Sequence, residues 1–143
     1  MKLHDFLNAR IADFAILNAK FHRFHWFFEG EGFFAFHEKF EELYNEASEL
    51  FDEFAERLLA IGGKPIATLK EFLAHAKLTD EGTETRLPEI GKTVLKDFGI
   101  VVDELKSGIS IAQDAGDEAT ADLFIETIQK FEKHAWMIRQ SVA

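Results

Sequence analysis

The stretch Phe33–Ile61, FFAFHEKFEELYNEASELFDEFAERLLAI, decides the fold. Phe36, Phe40, Leu43, Ala47, Leu50, Phe54, Leu58 and Ile61 recur three or four residues apart, which is the spacing of one buried stripe on an α-helix. Two pairs of ligand-type side chains stand beside that stripe, His37 with Glu41 and Asp52 with Glu56. Each pair has i, i+4 spacing and so shares a helical face. On a helical wheel the four residues span roughly 100°, flanking the core instead of opposing it. The helix rises about 28 Å from His37 to Glu56, at about 1.5 Å per residue, so one chain cannot bring both pairs to one metal ion. A two-fold axis near Glu46 and Ala47 removes the difficulty. It would lay His37 beside the partner's Glu56, and Glu41 beside the partner's Asp52. The palindrome therefore predicts a metal site shared by two copies. Taken singly, such a pair is most often a solvated helical face, and a lone histidine like His37 is more often a surface or staple residue than a ligand.

Outward from this helix the chain stays helical. Leu3, Phe6, Leu7, Phe14, Leu17, Phe21, Phe24 and Phe28 predict a first helix over Leu3–Glu29, stopped by Gly30 and Gly32. Gly62, Gly63 and Pro65 end the second. Thr68 and Glu71 have capping-box spacing and open a short helix over Leu69–Ala76. Lys77–Leu87 is polar and reads as a loop. A further long helix starts at Pro88 and runs to Gln113. Its Gly91, Gly99 and Gly108 weaken it by about 1 kcal/mol each, and close helix packing is one reason to tolerate them. Asp114-Ala115-Gly116-Asp117 is a tight break, with Asp117 the N-cap of a last helix to Ser141. Leu123, Ile128, Phe131, Ala135 and Ile138 form its apolar face. Four long helices and one short helix in the middle connection predict an all-α, ferritin-like four-helix bundle, a single domain over residues 1–143.

Composition narrows the function. The formal net charge is −10, which opposes generic binding to nucleic acid or anionic membranes and favours concentrating cations. The absence of Cys excludes thiolate metal sites and disulfides and suits a cytoplasmic protein. The N-terminus has no signal-peptide hydrophobic region, and no apolar run reaches the roughly 18 residues of a membrane span. Carboxylates with imidazole suit Fe, Mn and Zn. No Glu-x-x-His occurs, so the usual intrachain di-iron bundle site is not expected. His25 is a further candidate ligand, though beside Trp26 it reads also as a packed core histidine.

Three segments carry a family resemblance. His22-Arg23-Phe24-His25-Trp26, then Phe33-Phe34-Ala35-Phe36-His37-Glu38-Lys39-Phe40-Glu41-Glu42-Leu43-Tyr44, then Asp52 through Pro65 resemble the Dps family of mini-ferritins. Thr68-Leu69-Lys70-Glu71 and Ala135-Trp136-Met137 extend the likeness to essentially the whole chain. The resemblance implies a homo-dodecameric shell with ferroxidase centres at its dimer two-folds. It implies oxidation of Fe(II), usually with hydrogen peroxide in preference to dioxygen, and storage of the ferric product; Zn, which suits the same donors, is a candidate competitor. The implied ligands are His25, His37 and Glu41 of one chain with the partner's Asp52 and the partner's Glu56. The family often carries Asp where Glu41 stands, one methylene shorter. His22 matches a histidine that is not normally a ligand, and Trp26 a tryptophan near the centre with a radical-intercepting role. Glu118 and Asp122 match acidic residues of an iron-entry pore at the three-fold axis. The third pore carboxylate falls near Gln113, with Asp114 one residue along, and Glu118 also reads as an acid favoured by a helix N-terminus. The family's DNA-binding members use basic tails, whereas Lys2 alone precedes the first helix here. No strong direct DNA binding is therefore expected. An iron-oxidising store thus stands against a non-enzymatic surface-interaction protein and a DNA-compacting protein on the same scaffold.

Overall fold

The computed structural model describes residues 2–143. Its helices are α1 (Lys2–Phe27), α2 (Phe33–Ala60), α3 (Leu69–His75), α4 (Leu87–Asp114) and α5 (Glu118–Ser141). α1 packs on α2 and α4 on α5, while α1 also meets α3 and α4. The long connection over residues 61–86 carries α3 between the two helix pairs. The predicted bundle is thus present, with ends displaced by a residue or two. α1 stops at Phe27, although the amide of Phe28 still donates to the carbonyl of Phe24 at 3.1 Å. α2 closes in a Schellman turn: Gly62 donates to Leu59 and Gly63 to Leu58, with Gly62 at φ +90°. Thr68 and Glu71 form both bonds of the capping box, and the Asp117 side chain accepts from the Thr120 amide.

Phenylalanine fills the centre. Phe14 meets Phe54 edge-on at 4.8 Å, and Phe98 stacks on Phe131 at 5.3 Å. Each such ring contributes about 1.5–3 kcal/mol when fully buried. The glycines of α4 differ in kind. A Cβ at Gly108 would overlap the Phe6 ring, and one at Gly91 would come within 2.5 Å of Val142. Close packing therefore accounts for these two. Gly99 faces open space, so packing does not explain it. Gly99→Ala is expected to raise stability by about 0.5–1 kcal/mol, and Gly108→Ala to lower it by about 1–3 kcal/mol. Denaturant midpoints of the two variants against the parent protein check both signs.

The segment read as a loop is fixed more firmly than its composition predicts. Asp13 accepts from the amides of Lys77 and Leu78 at 2.8 and 3.0 Å. Lys20 donates to the carbonyl of Thr79 at 3.0 Å, and Arg23 bonds Asp80 and the carbonyl of Glu81. Three side chains of α1 thereby hold five successive residues. The buried ends of this lacing are charged: Arg10 pairs with Asp13 at 2.9 Å and with Glu104 at 3.1 Å, and Lys20 with Asp97 at 2.6 Å.

Candidate metal centre

Local sequence brings two imidazoles together where α1 ends and α2 begins. The Gly30–Gly32 turn folds α2 back on α1, so that His25 and His37 stack with centroids 3.7 Å apart and planes 13° apart. Nδ1 of His25 lies 2.5 Å from the carbonyl oxygen of His37, and Nδ1 of His37 lies 2.7 Å from that of His25. A carbonyl can only accept, so both Nδ1 atoms carry the proton. In its neutral form each ring with Nδ1 so engaged presents an unprotonated Nε2, the form a metal ion requires, with orientation fixed by the other nitrogen. Phe33 stacks on His37 at 5.1 Å and restrains it from the other side.

Tyr44, absent from the sequence prediction, completes the wall. Its ring stands edge-on to His25 at 5.3 Å and stacks on His22 at 3.7 Å. Tyr44 lies seven residues beyond His37, two turns along the same face, and that spacing was the available signal. His22 donates from Nδ1 to the carbonyl of Asn18 at 2.8 Å. Trp26 is 62% exposed in the single chain, and His22 is its ring neighbour at 5.4 Å.

The carboxylates sit elsewhere. Asp52 and Glu56 are exposed and line an open groove with Glu49, Glu53, Arg57 and Leu123. Arg57 does not neutralise them, because it is turned to Thr120 at 2.8 Å and Asp117 at 3.0 Å. Glu41 is exposed on the turn after His37. The structure thus joins His25 with His37, and Asp52 with Glu56, and leaves the halves far apart on α2. Among the described residues, no three metal-ligating groups converge within one chain.

Glu118, Asp122 and Asp114 are all exposed near the α4–α5 turn, with Glu118 and Asp122 one turn apart. Asp117 between them is committed to the helix cap and Arg57. Burial works to raise its carboxyl, but the Thr120 hydroxyl and amide and the Arg57 charge hold it below the usual range.

Comparison with known proteins agrees with this architecture. The ferritin-like domain family matches residues 4–143. The DNA protection during starvation protein 2 of Bacillus anthracis is 45% identical over 93% of this chain and 91% of its own length. The crystal structure of Dps from Staphylococcus aureus matches with a TM-score of 0.96 at 37% identity, covering 99% of this chain and 95% of that one. Dps from Listeria innocua, in crystals soaked with zinc, matches with a TM-score of 0.94 at 37% identity, covering 98% of this chain and 95% of that one.

Proposed function

The chain belongs to the Dps family of ferritin-like proteins, and from that membership we propose that it oxidises ferrous iron with hydrogen peroxide and keeps the ferric product inside a homo-dodecameric shell. The observation that carries this reading is the stacked His25–His37 pair, whose Nδ1 atoms are engaged by backbone carbonyls, so that Nε2 is the nitrogen each ring can offer to iron. Iron is the substrate, held by His25, His37 and Glu41 with the partner's Asp52 and the partner's Glu56. Glu41 is exposed, and its side chain is one methylene longer than the Asp the family often carries there. Anionic oxygen donors favour the ferric over the ferrous ion, because the added charge prefers hard ligands. Two ferrous ions would supply the two electrons that break the O–O bond of peroxide, and two protons taken from solvent complete the two water molecules. Paired electron delivery avoids releasing hydroxyl radical, and Trp26 is assigned to intercept any that escapes. The protein fixes position and charge, while iron supplies the redox chemistry.

Glu118 and Asp122, with Asp114 nearby, form the proposed entry route for ferrous ions. Zn(II) prefers the same N and O donors and is expected to compete. The proposed setting is the cytoplasm; among the described residues no helix is long and apolar enough to cross a membrane. With a formal net charge of −10, protection of DNA follows from removing iron and peroxide, not from coating the duplex.

The test is to add Fe(II) anaerobically, then peroxide, and separate the product by size with iron detection. Iron eluting with a particle of about twelve chains is the expected result. A particle of that size without retained iron would reject the storage function, and a small species under assembling conditions would reject the shared site.

A further inference from the structure

A second imidazole, on α5, is held in a way the iron reading does not use. His134 is buried between α2 and α5, with the Phe98 ring of α4 beside it at 6.2 Å. Its Nε2 lies 2.6 Å from Oε2 of Glu46, and its Nδ1 lies 3.3 Å from Nζ of Lys39. A carboxylate accepts and an ammonium donates, so the imidazole is neutral, with the proton on Nε2 and a lone pair on Nδ1. Burial works to raise the Glu46 carboxyl, but the hydrogen bond from His134 and the charges of Lys130 and Lys39 hold it below the usual range. Lys39 has a second partner, Glu42, at 3.4 Å on its own helix. Lys130 and Lys133 of α5 line the same groove.

We propose that His134 is a proton-operated latch that holds Lys39 across the α2–α5 groove and hands it to Glu42 when the imidazole is protonated. The second ring proton would occupy the Nδ1 lone pair that Lys39 now uses. It would also set two positive charges about 3.3 Å apart. The Glu46 carboxylate attracts the second ring proton and the Lys39 ammonium repels it. The handover has a structural consequence because Lys39 and Met137 belong to two adjoining grooves. One is the charged groove just described; the other is apolar and lined by Ala35, Phe36, Ile138 and Ser141. Withdrawal of Lys39 joins them. The latch is independent of iron chemistry, since none of its groups is assigned to the metal centre.

Methionine makes the test direct, because the chain has only Met1 and Met137. The Met137 methyl resonance of the assembled, 13C-methyl-labelled protein would be followed from pH 8 to pH 5, the range in which imidazoles change charge. A single titration is expected. It should vanish in His134→Gln, move to higher pH in Lys39→Gln, where the like charge is gone, and move to lower pH in Glu46→Gln. A Met137 methyl that does not titrate would overturn the latch. So would a titration that survives His134→Gln, or a midpoint untouched by Lys39→Gln. The Lys39 and Glu46 variants keep the proposal testable if His134→Gln does not fold.

Discussion

Replacing Asp52 and Glu56 together by alanine is expected to abolish rapid ferrous oxidation while leaving the shell assembled. Neither carboxylate takes part in a hydrogen bond or ion pair among the described residues, and both are exposed on α2. Alanine is the better helix former at both positions, so the fold of the chain loses nothing by the change. The proposed metal site, by contrast, loses two of its three anionic donors. Perturbing the surroundings of metal ligands alone typically costs about 10–100-fold, so removing two ligands should lower the initial rate by more than about 10²-fold. Stopped-flow absorbance of the ferric product, with size-exclusion chromatography as the assembly control, reads both effects. Unchanged kinetics would place the chemistry elsewhere. A mixing experiment isolates the shared nature of the site. His25→Ala/His37→Ala chains should be as inactive as the carboxylate variant. Shells reassembled from equal amounts of the two should regain activity, because a mixed pair holds one intact set of donors. With random pairing across two-folds, about a quarter of the sites are restored. A site contained within one chain would give no recovery at all.

Features written in local sequence were legible, and those depending on distant residues were not. The α2 stripe, the stop at Gly62–Gly63, the Thr68–Glu71 box and the Asp117 cap each rest on contacts within a turn or two. The i, i+4 pairs of the candidate site are local in the same sense. The tautomers of His25 and His37 are not, because they depend on carbonyls brought together by the turn between two helices. The segment 77–81 was hidden more deeply. Its own residues are polar and loop-like, and what orders it is Asp13, Lys20 and Arg23, more than fifty residues earlier. The sign of those partners lay in α1 itself, where charged residues at positions 13 and 20 sit among the buried apolar ones. Periodicity counts such residues as interruptions of a stripe, when they are anchors for another segment. His134 was missed in the same way, since its partners Glu46 and Lys39 lie on the far side of the sequence.

The second large effect is expected at Lys20 and Asp97, whose side chains are only 3% and 8% exposed and 2.6 Å apart. Asp97→Leu leaves a buried ammonium without its ion-pair partner, hydrogen-bonded to the Thr79 carbonyl, and should cost about 3–5 kcal/mol. The thermal midpoint of the shell should then fall by on the order of 10 °C. Lys20→Met should cost less, because the group left behind can shed its charge. Burial already lifts the Asp97 carboxyl above its usual range, against the hydrogen bond and charge of Lys20, and without Lys20 it takes up a proton more readily. The double variant Lys20→Met/Asp97→Leu should recover most of the loss, since packed apolar groups replace a buried pair with little penalty. What it cannot recover is the bond to Thr79, worth about 1 kcal/mol. The sign of the pH dependence follows from the raised carboxyl. Between its unfolded and folded values the folded chain binds the proton and the unfolded chain does not, so this group favours the fold as pH falls through that window. Acid sensitivity must therefore come from carboxyls held low, such as Glu104, which Lys77 lowers by a hydrogen bond against the opposing effect of burial. Thermal unfolding of the single and double variants at pH 7 and pH 5 measures the coupling. Additive losses would mean that Lys20 and Asp97 act independently despite their contact.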